Sequence, residues 1–177
     1  MASVIYLGVE GVLFARRCPA HIPRYHLEAP HADPLPLLER ISGIADEHQN
    51  LSIVINSWWV VDYGYRSVLN LLPDAIARRT IGATIQGNRV HRRVVRLPRV
   101  DILRADIKRR HPSSLVIVDA SSSAIPFEYL SESVLIRESS QETASKIEET
   151  ILDLLGRSAA SALYRKHSDR AFNGTLY

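Results

Sequence analysis

Cysteine occurs once in 177 residues, at Cys18. No internal disulfide can form, and a reducing compartment, the cytoplasm, is the expected location. Long apolar runs are missing too, since none approaches the roughly 20 residues of a membrane-spanning helix, so no membrane association is expected. The first residues are apolar, but no basic segment precedes them and Glu10 interrupts the run, so a secretory signal is not expected. Low-complexity tracts, internal repeats and linker-like stretches are also lacking. What remains is an ordinary globular composition, 46% hydrophobic and 23% charged, sufficient for one domain with a real core.

Charge of either sign is modest in sum, a net +3, but unevenly placed. Eleven of the 22 Lys and Arg residues fall between positions 78 and 110, against only Asp101 and Asp106. Such a segment can meet nucleic-acid phosphates, or it is a solvated helix face with its loop.

Apolar, β-branched runs alternate with amphipathic stretches of helical length, which predicts βαβ units and a parallel sheet. Strands are expected at 4–7, 51–55, 80–85, 115–118 and 133–137, with residues 86–88 as a turn. Helices are expected after Asp33, which can cap a segment opening with Pro34 and Pro36, and at 63–72, 74–79, 100–110 and 141–155. The fold class is α/β: a three-layer, doubly wound, mainly parallel sheet. One domain spans 1–156, with 14–33 as an inserted loop or cap and 157–177 as a polar tail that residues 159–166 could extend as helix.

In such folds ligands sit beyond the carboxyl ends of the central strands. After the first strand the chain reads Gly8-Val9-Glu10-Gly11-Val12-Leu13, after the second Asn56-Ser57-Trp58, and after the 115–118 strand Asp119-Ala120-Ser121-Ser122. A strand followed by an acid and Gly-Val-Leu, a strand ending in a hydroxyl, a basic residue opening a helix, and a strand ending in Asp resemble the haloacid dehalogenase-like superfamily. The order covers nearly the whole chain up to Leu155. More narrowly, the Ser-Trp pair and the LPDAIARRTIGAT stretch resemble the small bacterial branch associated with RNA-repair modules.

The resemblance implies a phosphatase chemistry. A first Asp attacks phosphorus, and a second acid two residues on protonates the leaving group and activates water. A hydroxyl and a Lys or Arg hold the phosphoryl oxygens, and the fourth-motif Asp helps to bind Mg²⁺. Carried onto this chain, Gly8 stands at the nucleophile position and Glu10 at the acid/base. Ser57, or Asn56 in a register one earlier, falls at the phosphate-holding hydroxyl. Arg99, with Arg96 close behind, is the cation, and Asp119 the metal ligand.

Glycine can neither attack nor coordinate, so aspartyl-phosphate catalysis is not expected and Mg²⁺ is expected to bind weakly or not at all. Ala120 stands where a further acid often lies. Three readings follow: a catalytically impaired (pseudo-phosphatase) domain binding a partner protein or phosphorylated ligand, a Mg²⁺-dependent phosphohydrolase in which Glu10 activates water directly, or a nucleic-acid-end binding module using residues 78–110.

Other residues have plainer readings beside the functional ones. Glu10 is a site acid or a solvated carboxylate, Asp119 a ligand or a turn cap, and Ser57 functional or structural. Trp58 and Trp59 fill the core or stack on a base, the former favoured. Cys18, His21, His26 and His31 offer four zinc-type ligands, but the spacing fits no trusted pattern, and Arg16, Arg17 and Arg24 make a basic lid the favoured reading of that insert.

Overall fold

The structure, a computed structural model, describes residues 3–15, 33–85 and 97–172, with side chains as far as Arg157. Five short runs rich in Val, Ile and Leu form strands: β1 (Ser3–Leu7), β2 (Leu51–Ile55), β3 (Thr80–Ala83), β4 (Ser114–Asp119) and β5 (Ser133–Leu135). All pair in parallel, in the order β3-β2-β1-β4-β5. Ser3 to Leu7 align with Leu51 to Ile55 on one side and with Ser114 to Val118 on the other.

Helices cover both faces, which is why β1, β2 and β4 read as apolar runs rather than as alternating ones. Ile5 and Leu7 pack into the larger core, where α1 (Leu37–Glu47), α4 (Asp74–Arg79) and α6 (Gln141–Phe172) contribute Ile41, Ile76 and Ile151. Val4 and Tyr6 face the other way, against Leu103 and Ile107 of α5 (Arg99–Arg110). The two-residue period of a strand makes this division. From β1 the chain winds outward to β3 and then returns across β1 to β4, so the winding reverses between β1 and β4. A crevice opens at that reversal. The α/β, doubly wound expectation holds.

Several boundaries differ from the sequence reading. Asp33 does not cap the first helix, which begins at Leu37 with Pro36 before it and no side-chain cap. A proline disfavours helical backbone at the residue before it, so Pro34 and Pro36 count against starting the helix at Asp33. The segment bridges residues 13–15 instead: the Ala15 N–H donates to the Asp33 carbonyl (2.9 Å) and the Leu35 N–H to that of Leu13 (2.8 Å).

The helix expected at 63–72 is α3 (Tyr65–Leu71), which starts just after Gly64, whose φ of 90° no helix accommodates; a further short helix, α2 (Trp59–Asp62), precedes it and is not among the expected elements. The third strand ends at Ala83 and the fifth at Leu135, each earlier than expected. The last helix does not stop at 155 but runs to Phe172. One glycine, Gly156, costs about 1 kcal/mol, and the Arg, Ala, Leu and Lys beyond it favour helix.

Residues 16–32 of the insert expected at 14–33, with Cys18 and the three histidines, and the turn expected at 86–88 lie outside the described residues. Among those described, no helix is long and apolar enough to cross a membrane.

Candidate functional site

Sheet pairing continues one step past the strands and gathers the candidates. The Gly8 N–H donates to the Val118 carbonyl (2.8 Å), and the Asn56 N–H to that of Leu7 (2.8 Å). Gly8 is thereby held between Asn56 and Asp119. A Cβ built at Gly8 would lie 3.1 Å from Asp119 Oδ2 and 3.1 Å from Val12 Cγ2. Any side chain at Gly8 would start in contact with the Asp119 carboxylate and the Val12 side chain.

The turn after β1 requires its second glycine. Gly11 has φ 73°, and a Cβ there would meet the Ala120 Cβ at 3.0 Å. Both constraints act together: the turn closes with the Gly11 N–H on the Phe14 carbonyl (2.7 Å), and it closes against β4. Ala120, read from sequence as a thinned fourth motif, is the small neighbour this approach needs.

Asp119 is 2% exposed, and both its oxygens are engaged. Oδ2 forms an ion pair with the Arg99 guanidinium and accepts a longer bond from the Asn56 amide (3.4 Å), while Oδ1 accepts the Ser121 N–H (2.9 Å). Burial pushes the Asp119 carboxyl above its ordinary pKa, against the lowering pull of Arg99 and the Ser121 N–H. The cap-like bond to Ser121 coexists with the site position.

Arg99 is the first residue of α5, and its side chain is only 12% exposed. Its Nη2 also donates to the Asn56 carbonyl (2.7 Å), and its Nε is buried without a partner among the described residues.

Ser57 and Asn56 are both fully buried. Ser57 Oγ donates to Glu10 Oε2 (2.8 Å) and accepts the Trp59 N–H (3.0 Å). Asn56 accepts at its amide oxygen from Thr84 Oγ1 (2.9 Å). Thr84 is not singled out by sequence reasoning. Its signal is a polar residue just past a strand, the same position that Asn56 occupies on β2.

Trp59 lies on the core, its ring stacked with Phe14 (centroids 6.0 Å) and edge-on to Tyr63 (5.6 Å), the packing role its sequence favoured. A groove of about 630 Å³ opens at the opposite end of the sheet, beside Ser3, Leu51, Leu152 and Leu155, and includes none of the candidate residues.

The basic segment is largely paired where it is described. Arg78 meets Asp46, Arg79 two backbone carbonyls, Arg104 both Asp101 and Glu128, and Arg109 and Arg110 share the buried Asp106. Arg89, Arg92, Arg93 and Arg96 lie outside the described residues.

Mg²⁺ needs an oxygen-rich octahedral shell. The donors here do not fit it. Gly8 supplies no carboxylate, Asp119 is bonded to a guanidinium, and the Glu10 carboxylate is bonded to Ser57. Among the described residues no group of three or more His, Cys, Asp or Glu is arranged to hold a metal.

A parallel sheet wound to both sides, with Gly-Val-Glu-Gly, Asn-Ser, an α5-opening Arg and a strand-terminal Asp meeting at its switch point, defines a haloacid dehalogenase-like domain. The family described as "HAD domain in Swiss Army Knife RNA repair proteins" matches residues 4–143, and the chain belongs to it. No curated protein matches the chain.

Proposed function

We propose that this chain is a catalytically impaired haloacid dehalogenase-like domain that acts by binding a partner protein or a phosphorylated ligand, and not by cleaving a phosphate ester. One observation carries the reading. The position facing Asp119 is a glycine, and the carboxylate left there is held by Arg99. Deleting a catalytic nucleophile elsewhere costs on the order of 10⁶ in rate.

A phosphorylated ligand is favoured by the Arg99 Nε, a buried donor with no acceptor among the described residues. Buried donors rarely stay unpaired, and an anionic oxygen is a fitting partner. The family's association with RNA repair makes a phosphorylated RNA end the first ligand to try.

The test is a panel of Mg²⁺-supplemented phosphatase substrates that includes RNA oligonucleotides phosphorylated at either end, run beside anisotropy binding of the same RNAs. No appreciable turnover is expected. Turnover at an ordinary phosphatase rate, abolished by Glu10→Gln, would replace this reading with direct activation of water by Glu10. That second reading has an observation behind it, since Ser57 orients the Glu10 carboxylate at the crevice. Binding that weakens steeply with salt and ignores the end phosphate would instead favour the 78–110 segment as a nucleic-acid surface.

A further inference from the structure

We infer that Arg99 is the resident cation of this site, a tethered guanidinium that takes the place of a divalent metal and excludes one. The inference goes beyond the proposed function and rests on the ion pair, not on any ligand.

Three features carry it. First, the missing side chain at Gly8 is the one that would stand directly against Asp119, so the two-carboxylate set that a hard dication needs is halved at its centre. Second, Arg99 Nη2 is fixed at two points, the Asp119 carboxylate and the Asn56 carbonyl (2.7 Å). Both partners sit on the sheet, while Arg99 enters from the first turn of α5. Third, arginine does not deprotonate in proteins. A metal bound at Asp119 would therefore face a permanent positive charge or strand a buried guanidinium. A lysine could lose its proton to relieve such a clash; arginine cannot.

Neither oxygen of Asp119 is left unengaged for a metal. Its Oδ1 is already an acceptor for the Ser121 N–H (2.9 Å), and the nearby Glu10 carboxylate is bonded to Ser57. Arg99 and Asp119 neutralise each other without any added ion, and Glu10 is held by the neutral Ser57 hydroxyl.

The experiment is an NMR titration of the full chain with Mn²⁺, reading paramagnetic broadening of the Gly8 and Ser121 amides, with Mg²⁺ as a diamagnetic competitor. In the parent, neither amide should broaden selectively at sub-millimolar Mn²⁺. Selective broadening of both, reversed by Mg²⁺, would overturn the inference without the help of any variant.

Two variants extend the test. Gly8→Asp should gain little affinity, because Arg99 can bridge both carboxylates. Gly8→Asp combined with Arg99→Met should bind Mn²⁺ at least about tenfold more tightly than Gly8→Asp, because the competing cation has gone. Equal affinity of the single and double variants would also overturn it. RNA-end binding is a separate readout: its failure removes the proposed ligand and leaves this inference standing.

Discussion

Removing either partner of the Arg99–Asp119 pair should destabilise the domain, but unequally, and the inequality is the test. Asp119→Asn keeps an acceptor for the Ser121 N–H and removes only the negative charge. It leaves a guanidinium with 12% of its side chain exposed and no way to shed its proton. Breaking a buried pair from one side costs about 3–5 kcal/mol, against a total stability of about 5–15 kcal/mol. For a domain of this size each kcal/mol moves Tm by roughly 2–4 °C, so a fall of roughly 6–20 °C is expected.

Arg99→Met strands a carboxyl group instead, and a carboxyl group can take up a proton. Burial already raises the Asp119 pKa, and losing Arg99 removes the main lowering influence, so the midpoint should rise further. The sign follows. A folded pKa above the ordinary value, about 3.9, gives stability that is fully present below that value and lost as pH rises through the folded midpoint. Arg99→Met should therefore be the milder change in acid and worsen as pH rises, while Asp119→Asn should show no pH dependence from this group. The double variant should recover more than about 1 kcal/mol relative to the sum of the singles. Urea denaturation across pH 4.5–7.5 reads all three, with the Asp119 carboxyl carbon followed by NMR as a site-specific check. Parallel pH profiles for the two single variants, or no recovery in the double, would refute the buried-pair argument.

Two further outcomes follow from the same geometry. Gly11→Ala should cost about 1–2 kcal/mol from its φ of 73°, before any clash with Ala120 is added, whereas Gly43→Ala, inside α1 with nothing within 4 Å of the new methyl, should stabilise by roughly 0.5–1 kcal/mol; chemical denaturation of both separates backbone conformation from composition. Ser57→Ala removes the buried acceptor of the Trp59 N–H and the donor to Glu10, and should cost about 1–3 kcal/mol in urea; a change within about 0.5 kcal/mol would mean that neither bond contributes net stability.

The site's residues are legible in the sequence because parallel strands expose their carboxyl ends together. Once the runs at 4–7, 51–55 and 115–118 are recognised as neighbours, Gly8, Asn56 or Ser57, and Asp119 have to converge. In the structure Asn56 and Ser57 have separate partners. Asn56 turns toward Asp119 and Thr84, and Ser57 toward Glu10.

What sequence could not convey was pairing across elements. Arg99 and Asp119 are twenty residues apart, and only the path of α5 across the sheet joins them. Gly64 illustrates a local miss: the helix after it starts two residues later than expected, and the short α2 before it is not among the expected elements, because only its φ of 90° shows where one ends and the other begins. The basic stretch is legible in the sequence only as a count. Its arginines are numerous, but six of those described are bonded to carboxylates or carbonyls contributed largely by other parts of the chain.

The glycine at position 8 and the pair at positions 99 and 119 are best understood as one arrangement. With an aspartate at Gly8, two carboxylates would lie side by side in a buried crevice, and one arginine would leave a net negative charge there. Like charges at that range cannot both stay ionised without more positive charge, which is the demand a divalent ion meets. With glycine, the carboxylate directly against Asp119 is absent. One guanidinium faces one carboxylate, the Asn56 carbonyl fixes the guanidinium, and the Ser121 N–H and Asn56 amide fix the carboxylate. Glu10, the remaining acid, is drawn to Ser57 rather than toward a metal. Restoring Asp at position 8 alone would leave Arg99 bridging the two carboxylates in the place of a metal, which is why the change at Arg99 must accompany it for a divalent ion to bind.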